Sequence, residues 1–136
     1  MRPVSDAEYA ALAEFRSALR RFLRVSEELA RACRLTPQQH QTLLAIKGFS
    51  ATEHPSISQL AERLHIHHNS SVGLVDRLAK RRLLRRISID TDHRRVQVLL
   101  TRRGEDVLEK LTRAHRTEFR QIGTQIAALL QRFGHR

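Results

Sequence analysis

The chain has 136 residues, about one domain, enough to bury roughly 68% of the surface its unfolded form exposes. Its 25 lysines and arginines outnumber 14 aspartates and glutamates, a formal charge of +11 that suits a polyanion, either nucleic acid or an anionic membrane surface. No apolar run reaches the roughly 18 residues that span a bilayer, no secretory leader opens the chain, and the single cysteine excludes an internal disulfide, so a cytoplasmic protein is expected, with no membrane as partner.

Ser5 and Glu8 have capping-box spacing, in which two side chains satisfy free N–H groups of a first helical turn. A long helix is predicted from there. Leu12, Phe15, Leu19, Phe22, Leu29 and Cys33 follow on one seam at alternating steps of three and four, with Ser26 in the remaining slot. Such a seam in a small protein requires a partner. Thr36, Pro37 and Gln39 read as N-cap, N1 and N3 of a second helix carrying Leu43, Leu44 and Ile46, with Gly48 as its stop.

Pro55 fits a loop or a very short edge strand. Ser56, with Gln59 three residues on, caps a third, short helix whose apolar face is Ile57, Leu60, Ala61 and Leu64. The polar run His67, His68, Asn69, Ser70 leads into a fourth helix with Ser71, Leu74, Val75 and Leu78 on its buried side. Two short helices joined by a tight turn describe a helix-turn-helix. Beyond it, Ile87 and Ile89 are expected to face the same side as Val96, Val98 and Leu100, making a two-stranded wing around an acidic and histidine-bearing turn. Thr101 caps a final helical region seamed by Leu108, Leu111, His115, Phe119, Ile122, Ile126, Leu129 and Phe133. Spacing is disturbed around His115, so a bend or break is expected there.

From Arg77 to Arg103 the chain carries ten lysines and arginines against two aspartates. B-DNA presents about one phosphate charge per 1.7 Å of axis, so such a cluster beside a helix-turn-helix has an evident partner. Double-stranded DNA is favoured over single strands because few aromatic rings are available to stack bases. The fourth helix offers His68, Asn69, Ser70, Gly73 and Arg77 to a groove: Asn can pair with adenine, Ser with either base type, Arg with guanine or phosphate, and Gly73 permits close approach. The competing role for Asn69 and Ser70 is N-capping, at which both residue types excel. At the wing tip Arg94 and Arg95 could reach a minor groove, and Asp92 could fix the turn and aim Arg94.

The segments LVDRLAKRRLLRR and DHRRVQVLLTRRG resemble the signature of the MarR family of bacterial transcription regulators, and LTPQQHQTLLAI looks like that family's second helix. The resemblance implies a mainly α fold with a small β-wing: a winged helix-turn-helix plus dimerisation helices from both termini. It places a winged-helix lobe at 36–103 and dimerisation helices at 5–35 and 104–134 of a single chain, 1–136. It further implies an obligate homodimer on a palindromic operator, most often as a repressor, with Asn69, Ser70 and Gly73 on the groove face and Asp92 with Arg94 in the wing motif. Two positions depart from the pattern. Arg82 stands where glycine is common after the recognition helix, and Gly73 replaces a longer polar residue.

The family also suggests release by an effector. Cys33 lies on the first apolar seam, where packing is its expected role, and His65, His67 and His68 lack a cysteine or carboxylate at ligand spacing, so neither cofactor nor metal is expected. Arg16, Arg20 and His40 are candidate contacts for an aromatic or other organic acid. Two alternatives stay open: an architectural protein that coats DNA with little sequence preference, and a metal- or redox-responsive regulator of the same fold. An enzyme is disfavoured, because no nucleophile elbow, phosphate-binding glycine loop, zincin motif or placed carboxylate pair occurs.

Overall fold

The computed structural model describes residues 1–89 and 95–133. Their elements, in order, are α1 (Asp6–Ala32), α2 (Pro37–Lys47), α3 (Ile57–Leu64), α4 (His68–Lys80), β1 (Leu84–Ser88), β2 (Val96–Leu100), α5 (Arg102–Ala114) and α6 (Arg116–Phe133). The fold is mainly α with a two-stranded antiparallel wing, as expected. It divides into two compact units, Met1–Leu29 with Thr112–Arg136, and Ala30–Leu111.

In the first unit Ser5 Oγ accepts the Glu8 N–H at 3.1 Å, and Glu8 also holds Arg2 in an ion pair. The hydrogen bond from Arg2 keeps the Glu8 carboxyl below its ordinary value. The helical run breaks at His115, whose ring is buried, hydrogen-bonds through Nε2 to Ser26 Oγ at 2.8 Å and stacks on Phe119 at 5.5 Å. Phe22 meets the same ring edge-on. The apolar seams are otherwise poorly covered. Tyr9, Leu12 and Leu23 on α1 and Phe119, Ile126, Leu130 and Phe133 on α6 are exposed, and α6 has no buried residue.

The second unit holds a dense core of Leu35, Leu43, Leu60, Leu78, Leu83 and Leu84, each at most 2% exposed. Removing a leucine side chain from water stabilises by roughly 1.5–3 kcal/mol, so these residues anchor the lobe. Both expected capping boxes form: Thr36 Oγ1 accepts from Gln39 N at 3.1 Å, and Ser56 Oγ from Gln59 N at 3.1 Å, each with the reciprocal bond. Gly48 ends α2 at φ −89°, a conformation any residue can adopt. Three other helices close through left-handed residues that are not glycine, Arg34, His65 and Arg82. In each case the following N–H bonds back to the helix: Leu35 to Ala30, Ile66 to Ala61, Leu83 to Leu78.

The wing begins earlier than its alternation suggested. Leu84 pairs with Leu100, Arg86 with Val98, Ile87 with Gln97 and Ser88 with Val96. Directly opposed residues share a face, so Ile87 and Ile89 lie opposite to Val96, Val98 and Leu100, correcting the expected arrangement. The buried face is Leu84, Val98 and Leu100. Pro55 forms the short edge: its carbonyl accepts from Val98 N at 2.9 Å, and Ser56 bridges Gln97.

The start of α5 is fastened to the exit of α4. Thr101 Oγ1 accepts Gly104 N at 3.0 Å and donates to the Arg82 carbonyl at 2.6 Å, while Thr101 N donates to the Leu83 carbonyl at 3.1 Å. Gly104 lies so close to that carbonyl that no Cβ fits between them. Lys47 and Glu105 add an ion pair at 2.9 Å between α2 and α5.

Candidate nucleic-acid interface

α4 is seated from within. Ser71, fully buried in its first turns, donates to the Ile57 carbonyl at 3.3 Å, while Leu74, Val75 and Leu78 enter the core. That roll turns His68, Asn69, Ser70 and Arg77 outward, all exposed, with Gly73 half-exposed among them. The five sequence-selected positions of α4 therefore share one face.

The helix starts at His68, and His67 occupies the cap position without a side-chain cap bond. Asn69 and Ser70 thus sit inside the first turn and cap nothing, which removes the structural alternative for them. A Cβ on Gly73 would meet the Arg77 guanidinium at 3.4 Å, an ordinary contact, so the Arg77 side chain folds back along the helix beside Gly73. Asn69 and Ser70 stand one turn N-terminal to that pair.

His68 Nδ1 lies 3.4 Å from Ser58 Oγ, joining the starts of α4 and α3. Beside them a concavity of about 540 Å³ runs to the distal end of the wing strands, lined in part by Ser56, Ser58, Gln59, Arg95 and Gln97. Arg95 is exposed, and its carbonyl accepts from Ile89 N at 3.1 Å where the wing strands converge. Asp92 and Arg94 lie outside the described residues.

Sequence reasoning missed several participants. Ser58 and Gln97 carry no motif and reach the concavity only through packing. Arg86 pairs with Asp76 and ties β1 to α4. Arg81 donates to the Arg34 carbonyl and stands 3.5 Å from Gln39 Oε1, bracing the end of α4 on the entry to α2. Such partners are 10 to 47 residues apart and leave no local trace.

The effector candidates divide between the two units: Arg16 and Arg20 are exposed on α1, and His40 is buried on α2. Cys33 is half-buried just beyond α1. Among the described residues no three His, Cys, Asp or Glu side chains gather where they could hold a metal ion, and no helix is long and apolar enough to cross a membrane.

Residues 35–95, which contain α2, α3, α4 and β1, match the family model described as MarR family. Over this stretch the chain is similar to the MarR family. AbsC, a MarR family transcriptional regulator from Streptomyces coelicolor, is similar in structure with a TM-score of 0.70 at 20% identity, over 93% of this chain and 84% of that one. MepR from S. aureus in a DNA complex gives 0.68 at 19% identity, over 83% and 81%. A MarR mutant from E. coli complexed with operator DNA gives 0.69 at 18% identity, over 84% of each chain. Among curated protein sequences none matches this chain.

Proposed function

We propose that this protein is a MarR-type regulator: a homodimeric, sequence-specific DNA-binding protein that reads a palindromic operator and represses from it. The observation that carries the reading is the single exposed face of α4, His68, Asn69, Ser70, Gly73 and Arg77, held beside a concavity edged by Arg95. In this role Asn69 and Ser70 contact base edges, Arg77 contacts guanine or phosphate, and His68 with Arg95 takes the backbone that crosses the concavity. Arg94 extends the same cationic surface from the wing into a minor groove, with Asp92 aiming it. MepR and MarR, both recorded on DNA, are structurally similar to this chain and support the assignment.

The exposed apolar side chains of α1 and α6 support the dimer. Apolar seams left open on two long helices are covered when a second copy supplies the matching surface by two-fold symmetry. A dimer presents two α4 helices, so the half-sites should lie about one DNA turn, ~34 Å, apart or a multiple of it. Release by an aromatic or other organic acid completes the proposal, with the exposed Arg16 and Arg20 as candidate contacts on α1.

Selection of bound duplexes from a random pool tests it. A two-fold symmetric consensus with half-sites one turn apart is the expected result, and recovery of unrelated sequences would favour a protein that coats DNA. Repeating the selection with organic acids present shows whether any of them releases the bound pool.

A further inference from the structure

The cations between Arg77 and Arg103 do not all serve the groove face. Arg86 is held by Asp76, Arg102 by Asp106 at 3.3 Å, and Arg81 by the Arg34 carbonyl. Lys80, Arg82, Arg85 and Arg103 remain, all exposed and none with an ion-pair partner among the described residues. The fold brings their backbones to one corner. Thr101 fastens the first turn of α5 to Arg82, and the Leu84–Leu100 and Arg85–Leu99 pairs place β1 beside it. The nearest acids on α5 are engaged, Glu105 with Lys47 and Asp106 with Arg102. Arg82 also occupies a left-handed position, φ 61°, that glycine would fill with less strain, so the fold alone does not call for a cation there.

The corner lies beyond the base-reading residues, at the C-terminal end of α4. Ten residues separate Ser70 from Lys80 along α4, about 15 Å at 1.5 Å per residue, roughly the length of four base pairs. We infer that Lys80, Arg82, Arg85 and Arg103 form a second cationic surface that holds phosphates of the same duplex beyond the base pairs read by α4. This rests on the DNA-binding reading above. Its chemistry is neutralisation of phosphodiesters by exposed ammonium and guanidinium groups, which adds affinity and salt dependence without base preference.

The test is the salt dependence of affinity on two duplexes sharing one selected operator core, the first trimmed to the core and the second extended by about one turn on each side. Lys80→Gln/Arg82→Gly/Arg85→Gln/Arg103→Gln removes four cations from each protomer and should lower the dimer's salt slope on the extended duplex by roughly seven units, at about 0.9 for each phosphate no longer neutralised. On the trimmed duplex the slope should stay the same, and so should the preference for operator over scrambled sequence. Lys80→Gln/Arg103→Gln, which removes no side-chain hydrogen bond, should give about half the effect and serves if the fourfold variant folds poorly. An unchanged slope on both duplexes would overturn the inference and leave the DNA reading standing. An equal drop on both would also overturn it, placing these cations on core phosphates. A wild-type chain that binds neither duplex would remove the DNA reading and this one together.

Discussion

Ser26 Oγ and His115 Nε2 lie 2.8 Å apart, so the one polar slot in the first apolar seam and the one disturbed step in the last seam are each other's partner. The imidazole is 1% exposed and is flanked by Phe22 and Phe119. Ser26→Ala should cost about 1–2 kcal/mol, because a buried ring nitrogen loses its hydrogen bond. Urea unfolding checks it. A loss under ~0.3 kcal/mol would mean that the pair is incidental to stability.

Gly104 admits no side chain against the Leu83 carbonyl. Gly104→Ala should force α5 away from the exit of α4 and destabilise the lobe by about 2 kcal/mol or more, within the range for overpacked sites. Thermal unfolding measures it directly. A variant as stable as wild type would show that the close approach can relax without loss.

Arg82→Gly should have the opposite sign. The left-handed backbone at φ 61° costs an L-residue roughly 1–2 kcal/mol, part of which glycine's larger unfolded-state freedom offsets. A net gain of about 0.5–1 kcal/mol is expected in the same unfolding assay. Destabilisation would indicate that the Arg82 side chain contributes to folding after all.

Local patterns make much of this legible, and long-range ones make little of it so. Thr36 with Gln39 and Ser56 with Gln59 form boxes within one helical turn, so residue type and spacing specify them. Glycine, common at this place in the family pattern, leaves Arg82 either a left-handed position or a different helix ending, and φ 61° shows the first. Alternation counted from Ile87 assigns the wing faces wrongly, because pairing with Leu100 begins the strand at Leu84 and fixes the opposite phase. Asn69 and Ser70 resemble caps because both are good ones, yet the Ser71 N–H bonds the His67 carbonyl at 3.1 Å, so the helix already starts at His68. The Arg81–Arg34 brace spans 47 residues and the Ser26–His115 bond 89, separations at which no periodicity reports a partner.

Glu8 gives a pH-dependent prediction. Its carboxyl is held below the ordinary 4.5, first by the hydrogen bond from Arg2 and further by Arg2's charge and Ser5. A depressed folded value means that stabilisation from this pair is complete above pH 4.5 and fades as pH falls through the folded midpoint. Titration of the Glu8 carboxyl by NMR should place the midpoint below 4.5, and Arg2→Ala should bring it back up. A wild-type midpoint at or above 4.5 would show that the pair does not hold in solution.

The open seams make a prediction about assembly. Ile126 and Leu130 are exposed on α6, so Ile126→Glu/Leu130→Glu should leave the lobe of residues 30–111 folded while placing two charges in the proposed dimer surface. Sedimentation velocity should report a dimer for wild type and a monomer for the variant. A variant that remains dimeric would move the interface away from α6.

Asn69 should act on one base pair. Asn69→Ala is expected to cost ~1–3 kcal/mol at a single operator position and relax the preference there, since it caps nothing and is free to bond adenine. Weakening spread evenly across all sequences would demote it to a backbone contact.

In the proposed function the α4 face and the distal wing beside it read sequence. Fluorescence anisotropy, at one stated salt concentration, on the selected palindrome and a scrambled duplex of equal length tests it most directly. The protein should prefer the palindrome by ~10³-fold or more. A ratio near one would contradict the claim and leave a protein that binds DNA by charge alone.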